Sequence, residues 1–480
     1  MQRRMIDQCL ERFSSAPSIT SLMASITRKN EYQVVENMHG GSSSALVCLI
    51  ARHTRRPILL LTSSLERAEA LTDGLEFFGA RAFIFPGFET LPFEHAEPVL
   101  HITAARQRAL AECMFAQAPS SSLPPVLVAP VDALQFRVLP REVLERLFLR
   151  IQWGQALDRD ELANRLVQMG YTRESLVESP AEFAIRGSII DVYPPELEWP
   201  VRIDLFGHEI DQIRQFDPST QRSKPCDTEI EAIRIVPAVC HAPKLEHLAA
   251  GRDLVSLFDL IDPETLVLLD APGRIEQRAT RFAGIADRHW HDLQHRRNAP
   301  ALSFWTTHSV KPTDWLLSAD ELQRHLDGFQ RVALADPGGD DEGASACPHF
   351  RLEVRSFEAM PAQFATYADL FRDRLRLGDR VMVVCDNRGQ VSRLDELLRE
   401  GEISAADLAG GQSLAGLPGS ADDPAGDVLL AVGELHEGFH LPEIGVLVVT
   451  DREMFGRYKR RHVYRKATRG RPIANPSEIK

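Results

Sequence analysis

The sequence predicts an α/β protein: a helix-covered parallel sheet, an inserted antiparallel β-rich region, and a further small α/β domain. Three observations carry this expectation. Strand-like apolar runs alternate with helical runs at short spacing through about the first 147 residues. From about Phe148 the texture changes to β-branched runs with period-two alternation. The α/β texture returns at Thr265–Asp270, and again beyond a stretch rich in Gly, Pro and Asp at 335–348.

Composition bounds the class. A chain of 480 residues predicts about three domains at the usual ~150 residues each. No apolar run approaches the ~20 residues of a membrane span, and the first thirty residues lack a signal-peptide core, so a cytoplasmic location is expected. Seven scattered cysteines without a CxxC pair agree with a reducing compartment and argue against a zinc or disulfide framework. The net charge of -13 disfavours non-specific DNA binding by the whole surface, so any nucleic-acid contact has to be local.

In order, residues 1–30 read as a helical lead-in with Met5, Cys9, Leu10 and Phe13 on one side. A strand from Tyr32, the turn GGSSS and the helix ALVCLIA follow. Strand Pro57–Thr62, helix Leu65–Gly79, strand Arg81–Phe85, helix AARQRALAECMF and strand Pro125–Val131 continue the alternation. A helix capped by Asp158 and stopped at Gly170 opens the β-rich region. Within Glu182–Ser223, Ile189, Ile190, Val192, Val201, Ile203 and Leu205 alternate with polar residues, and Pro194-Pro195 and Gly207-His208 break the run. Arg202 and Asp204 share a face of one strand, which is either a solvated outer face or a recognition surface. Beyond it, LEHLAAGRDLVSLFDLI predicts a helix and TLVLLD a strand. LEVRSF, Phe364–Leu377, Arg380–Asp386, QVSRLDELLRE, DVLLAVG and Ile444–Asp451 describe the last α/β domain.

The turn after the first strand sits where a P-loop would sit. Glu36–Ser43, laid on G-x-x-x-x-G-K-[ST], keeps Gly41 and the Ser43 hydroxyl but has Glu36 for the first glycine and Ser42 for the lysine. A carboxylate without an offsetting lysine opposes triphosphate binding. The strand TLVLLD ends in Asp270-Ala271, where an ATPase of this build carries Asp-Glu, and Ala271 cannot orient water. Both halves of a nucleotide site are thus degenerate, and this stretch is expected to be non-catalytic. His291 and His295 at i, i+4 superficially resemble a zinc motif, but Asp292 stands where Glu belongs and no third ligand is evident. A solvated polar helix is the expectation, with no metal. The basic run Arg457–Arg471 reads as a solvated linker or a phosphate-contacting tail.

Together these residues resemble a module shared by two bacterial DNA-repair families, the excision-repair protein UvrB and the transcription-repair coupling factors. The resemblance rests on Glu182–Arg222, VLVAPVDALQFRVLP, GFETLPFE, the altered P-loop and VVTDREMFGRYKRR, and spans essentially the whole chain. UvrB keeps an intact P-loop and a long DNA-gripping hairpin. Here Gly87–Arg106 is too short for that hairpin and the lysine is gone, so the likeness is to the amino-terminal part of the coupling factors.

The resemblance implies a degenerate P-loop/RecA-like domain over 1–147 and 235–334, with a β-rich UvrA-interaction domain over 148–234. A linker at 335–348, a small α/β domain at 349–456 and a basic tail at 457–480 would follow. It implies a non-catalytic adaptor that recruits UvrA through Arg173, Arg186 and Asp204, with Phe206 nearby. Ala184 stands where UvrB has another arginine, so one UvrB-type contact is expected to be missing. RNA polymerase and upstream double-stranded DNA are expected partners of a full-length protein whose later motor uses ATP and Mg²⁺. In this stretch no cofactor and no membrane contact are expected, and the chain is expected to be a monomer. In full-length relatives the UvrA surface is held against a carboxy-terminal domain, so it is expected to be exposed here. The chain reaches Lys480 about where the polymerase-interacting domain and motor would begin, and a natural end and a fragment boundary both fit. The alternative is a UvrB-like ATP-dependent helicase or excinuclease subunit.

Overall fold

The computed structural model describes residues 1–28, 32–89, 98–115, 123–224, 230–239, 254–295, 312–335, 347–355, 364–408 and 427–456. Helices α1 (Gln2–Ser14) and α2 (Pro17–Thr27) lead in. In α1, Met5, Ile6, Cys9, Leu10 and Phe13 recur at helical spacing and all are buried. The chain then alternates through β1 (Tyr32–Glu36), α3 (Ser42–Thr54), β2 (Ile58–Thr62), α4 (Leu65–Phe78), β3 (Ala82–Ile84), α5 (Leu100–Phe115) and β4 (Val126–Pro130). Local chemistry sets the boundaries. Ser64, for example, caps α4 by accepting from the Arg67 N–H at 3.2 Å.

The next region runs through β5 (Leu149–Gln152), a helix over Arg159–Gln168, β6 (Thr172–Arg173), β7 (Glu182–Arg186), β8 (Ile189–Val192), β9 (Val201–Phe206), β10 (Glu209–Gln215) and β11 (Ala232–Ile235). Asp158 caps its helix through the Asp160 and Glu161 N–H groups at 2.9 and 3.0 Å. β12 (Leu266–Asp270), β13 (Arg331–Leu334) and β14 (His349–Arg351) return to the first sheet, and β15 (Arg380–Cys385), β16 (Ala405–Asp407), β17 (Val428–Val432), β18 (Phe439–Leu441) and β19 (Val446–Thr450) build the last one.

The first sheet has seven strands, all parallel, in the order β14-β1-β13-β12-β2-β4-β3. The inserted sheet runs β10-β9-β8-β7-β6; β7 to β10 are an antiparallel meander and β6 joins β7 in parallel. β5 and β11, which enter and leave this region, pair antiparallel and close its base. The last sheet runs β16-β17-β15-β19-β18.

The two α/β sheets are not separate bodies. One continuous apolar core joins Leu10 of α1, Leu46 of α3 and Leu75 of α4 to Met382, Leu435 and Val448 of the last sheet and its loops. Gln2 reinforces this by bonding both the N–H and the carbonyl of Val432, at 3.2 and 2.6 Å. β14 pairs with β1, so residues 349–351 complete the first sheet rather than the last.

The helix expected over LEHLAAGRDLVSLFDLI does not extend through its described part. Val255 bridges Val138, and Leu257–Asp259 is a single 3-10 turn. Ser256 and Asp259 form a reciprocal capping box that fixes this short turn, and Leu257 is buried beneath it. The preceding residues 241–253, residues 336–346 of the expected linker and the basic run Arg457–Arg471 lie outside the described residues. Among the described residues no helix is long and apolar enough to cross a membrane.

Candidate functional site

The meander has two faces. One carries Phe183, Ile190, Val192, Val201, Ile203 and Ile213 into the core of the inserted region. The other presents Arg186, Asp191, Arg202, Asp204, Phe206 and Arg214, as strand alternation dictates. Two-residue turns, Gly187-Ser188 and Gly207-His208, join β7 to β8 and β9 to β10 at the same end of the sheet. Both glycines have positive φ, 62° and 67°, as tight hairpins of this length require. The edge of β10 is covered by the segment after β5: Ala156 bridges Glu209 and the Leu157 N–H donates to the His208 carbonyl at 2.7 Å.

Charge on this outer face is layered. Asp191 is fully buried, 0% exposed, and accepts three guanidinium hydrogen bonds: from Arg202 Nε at 2.7 Å, Arg202 Nη2 at 2.9 Å and Arg186 Nη2 at 2.6 Å. These bonds raise the Arg202 pKa above its ordinary value. Arg202 also donates to the Gln221 carbonyl at 3.1 Å and lies over the Phe216 ring. It is therefore not part of a recognition surface as its alternation with Asp204 allowed; it is buried under Phe216. Asp204 is ion-paired with Arg214 at 2.6 Å. Arg186 keeps 42% of its side chain exposed, and Phe206, at 83%, is almost bare.

The structure brings Arg186, Asp204 and Phe206 together at the hairpin end of one face. Arg173 is placed differently: in edge strand β6 it is in register with Phe183, which faces the opposite, core side. That register also sets Arg173 three residues back from Arg186, about 10 Å along the strand direction. Ala184 is fully buried in a small cluster with Val177, Tyr193 and Phe216, so the position where an arginine was expected in UvrB is roofed over here.

The loop between β1 and α3 ends at the carboxyl edge of the parallel sheet, and so does β12 with Asp270. In open α/β sheets that edge is where ligands bind. Here the loop between β17 and β18 lies against it and takes its backbone donor, with a polar cavity alongside. The Gly41 N–H, which a P-loop would offer to phosphate, donates to the Glu437 carbonyl at 3.0 Å. A Cβ on Gly41 would stand 2.8 Å from Leu435 Cδ1 and 2.9 Å from that carbonyl. Ser42 turns its hydroxyl back onto the His39 carbonyl at 2.6 Å, and Ser43 is buried. The Glu36 carboxylate accepts from His349 Nδ1 at 2.7 Å. Asp270 is held bidentately by Arg67 of α4, at 2.8 and 2.9 Å, and Ala271 follows with φ 58°. His436, in the loop between β17 and β18, pairs with Asp73 of α4 at 2.9 Å and helps line a polar cavity of about 240 Å³ that also borders Gly40, Gly41, Ser64, Arg67 and Glu437.

His291 is exposed on a helix over Pro272–His295, while the side chain of His295 lies outside the described residues. Among the described residues, no group of three His, Cys, Asp or Glu side chains is arranged to hold a metal.

Sequence reasoning marked Asp191 as a charge among apolar strand positions but missed its buried role, and it missed Arg67 and Leu435–Gly438 altogether. Asp191 carries a signal, since alternation places a carboxylate in mid-strand on the face of Arg186. The other two act across hundreds of residues and leave no local trace.

Residues 149–240 match the family described as UvrB interaction domain. The chain is 25% identical over 497 residues to the transcription-repair-coupling factor of Bacillus subtilis (strain 168), an alignment covering 93% of this chain and 40% of that protein. It is 26% identical over 517 residues to the transcription-repair-coupling factor of Staphylococcus aureus (strain USA300), covering 96% and 42%. The chain thus spans about two fifths of the length of these relatives.

Proposed function

Because the chain carries a UvrB interaction domain and resembles transcription-repair-coupling factors along most of its length, we propose that it is the UvrA-recruiting, non-catalytic part of such a factor. The observation that carries the reading is the outer face of the meander. Arg186, Asp204 and Phe206 converge there at one end of a rigid, core-backed sheet, with a nearly bare aromatic beside paired charges. Partly desolvated guanidinium and aromatic groups are what interface hot spots are made of. Arg173 belongs to this reading as a contact at the sheet edge, away from the other three.

The non-catalytic part of the proposal draws on the filled loop. A degenerate P-loop/RecA-like domain, formed by residues 1–147 and 235–334 around the inserted 148–234, accounts for Ser42 and Asp270 lying on one carboxyl edge. Glu437 has taken the backbone donor, Arg67 has taken the metal-binding carboxylate, and no lysine is present in the loop. Nothing in that arrangement favours the UvrB-like ATPase. ATP-driven translocation, contact with RNA polymerase and upstream DNA, and a cytoplasmic, monomeric state are carried over from the family as part of the same proposal. The remaining divisions, 335–348, 349–456 and 457–480, stand as proposed linker, small α/β domain and basic tail, with residues 349–351 of the small domain lent as a strand to the first sheet.

The test is capture of purified UvrA on immobilised chain. Binding that is lost with Arg186→Ala plus Asp204→Ala supports the reading; binding unchanged by the pair contradicts it. Thermal stabilisation of the chain by ATP and Mg²⁺ would instead favour the UvrB-like alternative.

A further inference from the structure

Asp191 is a carboxylate at the centre of a sheet face, wholly buried against the guanidinium of Arg202. Burying an ion pair commonly gives less stability than apolar side chains of the same volume, so its presence calls for a reason. Neutralisation is not the reason for its third bond. Arg202 already meets Asp191 with two parallel hydrogen bonds, at 2.7 and 2.9 Å, which is the full fork-to-carboxylate geometry. The additional bond, from Arg186 Nη2 at 2.6 Å, is made by a side chain that is otherwise substantially exposed.

Of the three guanidinium groups on this face, Arg186, Arg202 and Arg214, Arg186 is the most exposed, with 42% of its side chain accessible. The backbone beneath Arg186 is held as well: Arg159 Nη1 donates to the Gly187 carbonyl at 2.6 Å, pinning the turn that follows it. Arginine is long and rich in rotamers, and fixing it before contact removes part of the ordering cost of binding.

We infer that Asp191 is a positioning residue: seated on Arg202, it holds the Arg186 fork in the orientation that an acidic patch on the partner reads. The inference rests on the UvrA-recruiting reading and deepens it. Asp191 does not touch the partner; it acts through Arg186.

The experiment is a double-mutant cycle on the full chain, with purified UvrA as the probe and thermal melting of every variant alongside. Asp191→Asn is expected to weaken UvrA binding by about tenfold in the wild-type background, the scale of one immobilised long side chain. In the Arg186→Ala background it is expected to cause no further loss of affinity, although its effect on melting persists in both. Equal weakening in the two backgrounds, or no weakening in the wild type, overturns the positioning role while leaving the partner assignment intact. No UvrA binding by the wild type, or wild-type binding by Arg186→Ala, overturns the partner assignment and this inference with it. Should Asp191→Asn not fold, Arg186→Lys serves in its place. A single ammonium that holds Asp191 has no fork left to present, so affinity is expected to fall close to that of Arg186→Ala. Full affinity in Arg186→Lys overturns the inference.

Discussion

Gly41→Ala separates two explanations of the same glycine. If Gly41 persisted for phosphate, its methyl would matter only to nucleotide binding. In the structure it faces Leu435 Cδ1 at 2.8 Å and the Glu437 carbonyl at 2.9 Å, both closer than a methyl tolerates. Its backbone φ of -68° suits any residue, so strain in φ does not enter. Overpacking of this kind costs about 1–3 kcal/mol. Pushing the loop back also weakens the Gly41–Glu437 hydrogen bond, 3.0 Å long, for about 1 kcal/mol more. Against this, alanine restricts the unfolded chain and returns roughly 0.4–1 kcal/mol. The expected net loss is about 1–3 kcal/mol, from those three contributions.

The loss should be localised. Amide exchange should speed up at residues 40–46 and 433–438, which face each other across the seam, and not in the inserted sheet. Trimming the facing side chain, Leu435→Ala, should be non-additive with Gly41→Ala, because it removes the nearer of the two clashes. Unchanged exchange on both sides of the seam, together with a urea midpoint equal to the wild type, would refute the packing argument.

Three other changes have defined outcomes. Arg202→Met leaves Asp191 buried with only Arg186, and should lower stability in urea by about 3–5 kcal/mol; adding Asp191→Leu should recover most of it, because an apolar pair replaces the buried ion pair. Glu196 accepts from the Val236 N–H at 3.1 Å and its Oε2 is fully enclosed; burial pushes its carboxyl up to about 8 from 4.5. Between those values the unfolded chain releases a proton that the folded chain keeps, so stability falls as pH rises through this window, by at most about 1.4 kcal/mol per pH unit, and is flat above it. Glu196→Gln should therefore gain on the wild type in melting temperature from pH 5 to pH 8, and parallel profiles would contradict the assignment. Phe206→Ser, at a nearly bare position, should change stability by no more than about 0.5 kcal/mol while reducing UvrA capture; a large loss of stability would show that Phe206 serves the fold.

Much of this architecture is legible residue by residue. Alternation located β7 to β10, the cap at Asp158 and the stop at Gly170 framed a helix, and βα alternation implied the parallel sheet. Alternation reports a face but not a depth. Arg202 and Asp204 do share a face, yet Arg202 is enclosed because Phe216 and Gln221 fold back over it from beyond β10. Helical spacing misled at Leu257, where Ser256 and Asp259 satisfy each other within one turn and Val255 has a strand partner. The phosphate loop showed missing residues but not what replaced its ligand. Leu435–Gly438 reaches Gly41 only once the last sheet packs on α1, α3 and α4. Likewise, the gap in texture at 335–348 marks a boundary in sequence, while β14 on its far side pairs with β1.

The central claim is that the hairpin end of the meander is where the partner binds. Its most direct test is a titration of purified UvrA against the wild-type chain and against the variant with Arg186→Ala and Asp204→Ala, both verified as folded. The account predicts saturable binding by the wild type and a loss of roughly thirtyfold or more in the variant, corresponding to the ~2 kcal/mol of a hot spot. Equal affinity in the two proteins would contradict it.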